Sequence, residues 1–133
     1  MSVPERSTRK KNIRFLVADR LTDTRKALCR RILQTDDMEV VGAVSNGIEA
    51  IQCVAILKPD IVVIDMSLTN PDGIDTTQKI TADQSLAAKV IVLSHTDQDI
   101  RPALMAGAKT CLIKPFSDDE LFGIIRPLFG EDQ

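Results

Sequence analysis

Five short apolar runs spaced along the chain constrain its fold more than any other feature: IRFLVA (13–18), MEVVGAV (38–44), DIVVID (60–65), KVIVLS (89–94) and TCLI (110–113). Each has strand length, and most are rich in Val and Ile, whose branched side chains suit extended backbone. The stretches between them carry helical period. In 22–34, Leu28, Ile32 and Leu33 share a face, while Arg25, Lys26, Arg30 and Arg31 point elsewhere. In 47–58, Ile48, Ile51, Ala55 and Ile56 recur three and four apart, ending before Lys58-Pro59. Helices are also predicted over 74–83, 98–106 and 118–128. Strict β-α alternation predicts an α/β fold, a parallel sheet with helices on both faces. Unbroken apolar strands fit a sheet buried on both sides.

Punctuation supports these boundaries. Gly107 follows ALMA as a helix C-terminal glycine does, and Ser117 with Glu120 spells a capping box. Pro102 then belongs in the first turn of the fourth helix, where a missing N–H costs little, and Pro127 ends the last helix near Arg126.

A length of 133 residues suits one domain with a real core. No apolar run approaches the roughly 20 residues of a membrane span, so no membrane insertion and a cytoplasmic location are expected. Net charge is −2, Trp and Tyr are absent and only four Phe occur, which argues against direct nucleic-acid binding. Residues 1–12 read as a loose basic tail (Arg6, Arg9, Lys10, Lys11), either solvating or touching a polyanion, and 131–133 as a short tail; the domain is expected over 13–130. Cys29, Cys53 and Cys111 are few and widely spaced, so free thiols are the expectation, and a single histidine argues against zinc.

In open parallel sheets, ligands bind beyond the carboxyl ends of the strands. Four polar residues stand at such ends: Asp19, Asp65, Ser94 and Lys114. With the first, third, fourth and fifth strands as neighbours, these side chains converge on one crevice, with Lys114 in reach of Asp65. A carboxylate there can accept a phosphoryl group, a hydroxyl can donate to its oxygens, and an ammonium can balance its charge.

FLVAD, KPDIVVIDMSLTNPDG, KVIVLS and AGAKTCLIKPF together resemble the response regulator receiver domains of two-component signalling, from about Ile13 to Leu128. The resemblance implies a doubly wound, flavodoxin-like sheet of strand order 2-1-3-4-5, an order the general rule for such sheets already illustrates with a receiver domain. It implies that Asp65 is the phospho-acceptor, Ser94 the switch hydroxyl and Lys114 the phosphoryl contact, with Lys114-Pro115 cis. Mg2+ would be held by Asp19, Asp65 and the backbone carbonyl of Ser67. Partners would be a sensor histidine kinase or phosphotransfer protein and a downstream protein target bound by the fourth helix, fifth strand and fifth helix, with room for a homodimer. Such a domain is not a turnover enzyme.

Three positions depart from the family. Arg20 stands where a second acidic residue is usual, which removes a metal ligand, adds a repelling charge and predicts weakened Mg2+ binding. Its guanidinium either folds inward to pair with Asp65 or Asp19, or snorkels outward into water. Cys111 replaces a reporter aromatic and is too small to act as one. His95 replaces a small residue; it either narrows access to Asp65 and titrates near neutral pH, or is a loop histidine without mechanism. The competing function is a pseudo-receiver, a phosphorylation-independent interaction module locked by Arg20.

Overall fold

A computed structural model describes residues 12–129. The basic tail expected over 1–12, apart from Asn12, and the tail at 131–133 lie outside the described residues. Five strands, β1 Ile13–Ala18, β2 Met38–Val44, β3 Ile61–Asp65, β4 Lys89–Ser94 and β5 Thr110–Ile113, form one sheet of order β2-β1-β3-β4-β5. Every pairing is parallel. The helices are α1 Thr22–Leu33, α2 Gly47–Leu57, α3 Gly73–Ala82, α4 Ile100–Met105 and α5 Asp118–Ile125. A 3-10 turn, Asp97–Asp99, leads into α4, and another, Arg126–Phe129, follows α5.

The inner strands are buried on both faces, and their side chains still alternate. Phe15, Val17, Ile61, Val63, Ile91 and Leu93 meet α1 and α5 through Leu28, Ile32, Leu121, Phe122 and Ile125. Leu16, Ala18, Val62, Ile64, Val90 and Val92 face the other way, onto Ala50 and Val54 of α2, Ile80 of α3 and Ala103 of α4. Burying one such branched side chain contributes about 1.5–3 kcal/mol. A register slip by one residue would exchange the two faces and both helix layers, so the register is strongly specified. The edge strand β2 is only partly buried.

Two helical faces differ from their periodicity. On α1 the buried stripe is Leu28 and Ile32, whereas Leu33, next around the helix, is 60% exposed. On α2 the buried residues are Gly47, Ala50 and Val54; Ile48 and Ile56 are exposed, as is Ala55. The cause is proximity. A side chain at Gly47 would collide with Pro71 and Thr76, so α2 turns its small residues inward and leaves the bulky ones outside.

Helix ends follow the local chemistry. Asn46 accepts from the Glu49 amide at 2.9 Å, Asp72 from the Asp75 amide at 2.8 Å, and Ser117 and Glu120 form the reciprocal capping box. Pro102 lies in the first turn of α4, and α5 gives way to the 3-10 turn at Arg126, one residue before Pro127. Arg31 of α1 ties down the loop after β5, donating to Asp118 at 2.6 Å and to the Phe116 carbonyl at 3.0 Å.

Gly107, at φ +106, turns the chain from α4 toward β5, and a Cβ there would strike Thr81. Gly107→Ala therefore combines a left-handed penalty with a clash, and is expected to cost about 2–3 kcal/mol in urea unfolding without changing the fold. A midpoint equal to wild type would remove this account of the turn.

Candidate functional site

β3 is buried along its whole length and ends on Asp65, which is itself 5% exposed. A carboxylate so placed needs donors. The Ser67 amide supplies one, reaching Oδ1 at 2.8 Å. Lys114, just past β5, supplies the other: its Nζ donates to Asp65 Oδ2 in a close ion pair. The backbone sets that reach, because the Lys114 amide bonds the Ser94 carbonyl at 2.8 Å and so fixes the end of β5 against β4. Lys114-Pro115 is cis; Asn70-Pro71 is also cis, which the sequence reading did not anticipate.

Burial pushes the Asp65 carboxyl up, but the hydrogen bond from Lys114, the bonds from Ser67 and the Lys114 charge together outweigh it and hold Asp65 below the ordinary carboxylate value. Asp65 is thus an ionised carboxylate at a buried strand end with a cation already beside it, a group of the kind that can act as a nucleophile.

Asp19, 4% exposed, sits beyond β1 and is held by neutral donors. Its Oδ1 accepts the Leu21 amide at 2.9 Å and the Ser67 hydroxyl at 3.4 Å, and its Oδ2 accepts the Thr24 hydroxyl at 2.8 Å. Ser94, 1% exposed, ends β4, and its hydroxyl donates not to Asp65 but to Asp99 Oδ2, at 2.5 Å. A cavity of about 400 Å3 opens above Asp65, with Ser94, Asp99 and Lys114 in its walls and the exposed ring of His95 at its edge. The four strand-end residues are therefore neighbours, Asp19 through Ser67. Asp99, in the turn before α4, is a wall residue that strand-end reasoning did not find. Its only sequence signal is a carboxylate five residues beyond Ser94, inside a stretch expected to be helix.

Arg20 does not fold inward to Asp65 or Asp19: its side chain is exposed, makes no ion pair among the described residues, and donates through Nε to the Ser67 carbonyl at 3.2 Å. The outward pose spares a long cationic side chain desolvation.

That bond bears on Mg2+, which favours near-octahedral oxygen ligands. Each oxygen group expected to hold the ion, the Asp19 carboxylate, the Asp65 carboxylate and the Ser67 carbonyl, already accepts a protein donor, and for two of them the donor is cationic. No group of three or more His, Cys, Asp or Glu able to hold a metal occurs among the described residues. Arg20 and Lys114 thus set two cationic groups against the oxygens that would hold the ion, which weakens the site for Mg2+ without filling every lone pair.

Residues 15–126 match the response regulator receiver domain family. The chain is 34% identical over 110 residues to the uncharacterized transcriptional regulatory protein YhcZ of Bacillus subtilis, covering 82% of this chain and 51% of that protein. It is 34% identical over 98 residues to the chemotaxis protein CheY of Listeria monocytogenes, covering 72% of this chain and 82% of that one. Among solved structures, the response regulator domain of Thermotoga maritima CheB superposes with TM-score 0.80 at 29% identity, covering 92% of this chain and 100% of that one. CheY from the CheX–CheY–BeF3–Mg2+ complex of Borrelia burgdorferi gives 0.77 at 25%, covering 91% and 92%. This chain thus spans about half the length of YhcZ. No described helix is long and apolar enough to cross a membrane.

The charge balance at Asp65 predicts a titration. With Lys114→Met, burial loses its main opponent, and the Asp65 carboxyl should rise above its ordinary value in a carboxylate-resolved NMR titration. The sign for wild type is the reverse. A depressed folded pKa stabilises the fold above the unfolded value and ceases to do so as pH falls through the folded one, so this contribution fades as pH drops below the ordinary carboxylate range. An unmoved Asp65 pKa in Lys114→Met would separate the two groups.

Proposed function

This chain belongs to the response regulator receiver domain family of two-component signalling, and from that premise we propose that Asp65 accepts a phosphoryl group from a sensor histidine kinase or a phosphotransfer protein in the cytoplasm. The observation that carries the proposal is the buried, ionised Asp65 carboxylate paired with Lys114 at the floor of an open cavity. An Asp65 oxygen attacks phosphorus, an acyl phosphate forms, and the donor's P–N bond breaks with its electron pair going to the imidazole. Lys114 stays beside the added negative charge, and the Ser94 hydroxyl turns to a phosphoryl oxygen. Output passes to a downstream protein through α4, β5 and α5.

Receiver domains generally bind Mg2+ at this site. Here the Arg20 guanidinium on the Ser67 carbonyl opposes the ion. Arg20 and Cys111 are also what favours the alternative, a phosphorylation-independent interaction module. The retained Asp65–Lys114 pair with Ser94 close by favours acceptance.

Intact mass after incubation with acetyl phosphate, with and without Mg2+, separates these. Wild type should gain one phosphoryl group and Asp65→Asn none; a wild type that stays unmodified under both conditions would leave only the interaction module. Arg20→Asp removes a like charge, restores a ligand and frees the Ser67 carbonyl, so Mg2+ affinity by calorimetry should rise on the order of tenfold or more. Equal affinity in wild type and variant would show that Arg20 does not oppose the ion.

A further inference from the structure

The cavity above Asp65 is lined by a second carboxylate to which the proposed chemistry gives no part. Asp99 ends the Asp97–Asp99 turn and is the residue before α4. Its Oδ2 lies 2.5 Å from the Ser94 hydroxyl. A hydroxyl has one proton to give. The Thr96 carbonyl, at 3.1 Å, is the longer and neutral alternative, so the charged acceptor takes the proton. The Thr96 amide, at 3.0 Å, occupies a lone pair of the same oxygen. Ser94 is therefore fully engaged toward the start of α4, and no hydrogen bond joins it to Asp65 among the described residues.

We propose that Asp99 is a positioning residue, a latch that holds the Ser94 hydroxyl and the start of α4 in a resting arrangement, and that a phosphoryl group on Asp65 displaces it. The displacement rests on Asp65 being the acceptor. An acyl phosphate on Asp65 carries about two negative charges where the carboxylate carried one, and it sets them further into the cavity that Asp99 lines. It repels the Asp99 carboxylate and offers Ser94 a stronger anionic acceptor. Asp99 joins the Asp97–Asp99 turn to α4, and its amide bonds the Thr96 carbonyl at 3.2 Å, so the Ser94–Asp99 bond is a side-chain tie between β4 and the start of α4 that is lost when the carboxylate leaves. Burial, and then the Asp99 charge, push the Cys111 thiol up.

The test compares amide exchange over residues 97–105 in the unphosphorylated full chain for wild type, Ser94→Ala, Asp99→Ala, Asp99→Asn and the double alanine variant. Either alanine should speed exchange about tenfold, the loss of one charge-assisted hydrogen bond. The double variant should add nothing further, and Asp99→Asn, whose amide oxygen still accepts, should recover part of the protection. Unchanged exchange in the single variants, or additive effects in the double, overturns the latch. Uptake from acetyl phosphate tests the displacement: Asp99→Ala should react on the order of threefold to tenfold faster than wild type, since a like charge has gone. A rate equal to or below wild type overturns it. If no variant and no wild type takes up phosphoryl, the acceptor role of Asp65 fails and displacement fails with it, while the exchange comparison still decides the latch.

Discussion

Burying both faces of a parallel sheet leaves only the strand ends free to carry charge. In this chain the inner strands are sealed by Leu28 and Ile32 on one side and by Ala50, Val54 and Ile80 on the other. Because all strands run the same way, their carboxyl ends share one edge of the sheet. Polar residues that would be expensive anywhere else in β1, β3 or β4 are admitted there, and they meet for that reason alone. Asp19, Asp65, Ser94 and Lys114 are gathered by topology before any chemistry is asked of them.

Gathering charges in a dry corner has its own cost, and each carboxylate meets it differently. Taking a carboxylate out of water costs several kcal/mol unless partners replace the hydration. Asp65 has a cation, Lys114, and one backbone amide. Asp19 has only neutral donors, three of them. Asp99, half-buried, has one hydroxyl. The three groups thus differ in how firmly they are held. Asp65 is fixed by charge, Asp19 by multiplicity, and Asp99 by a single bond whose donor is also wanted elsewhere. Of the three, Asp99 is the one a new charge in the cavity can move.

What the sequence disclosed follows the same physics. β-branched runs have one good home, so the strands were legible nearly to the residue, while their order, and with it the Asp65–Lys114 meeting, came from the family resemblance. The α2 face was not legible, because periodicity weights Ile48 and Ile56 by size, whereas the packing was decided by how closely Gly47 approaches Pro71. Arg20 was framed as a choice between carboxylate and water; it stays exposed, and a backbone carbonyl, invisible in side-chain reasoning, also accepts its Nε–H. Asp99 was hidden by a boundary. The stretch 98–106 was expected to be helix, but the chain runs through a 3-10 turn first, and that shift aims Asp99 back at Ser94.

The resting bonds also limit how large a switch this site can drive. Moving an equilibrium from 1:99 to 99:1 takes about 5.5 kcal/mol of differential stabilisation. A hydrogen bond to a charged group contributes about 1.5–3 kcal/mol, so two formed afresh would barely reach it. Neither is formed afresh here. Lys114 already bonds the Asp65 carboxylate, and Ser94 already bonds the Asp99 carboxylate. A phosphoryl group would exchange those bonds for stronger ones rather than add to them, and only the difference would count. Cys111 brings little bulk to trap a second state, being small and already 8% exposed. The remaining driving force is the repulsion of Asp99 by the incoming charge, which is absent from the resting ledger and acts directly on the turn before α4. If Asp65 is the acceptor, a receiver built this way would shift its populations only partially, and the shift would depend most on Asp99, the carboxylate that the resting site holds by a single bond.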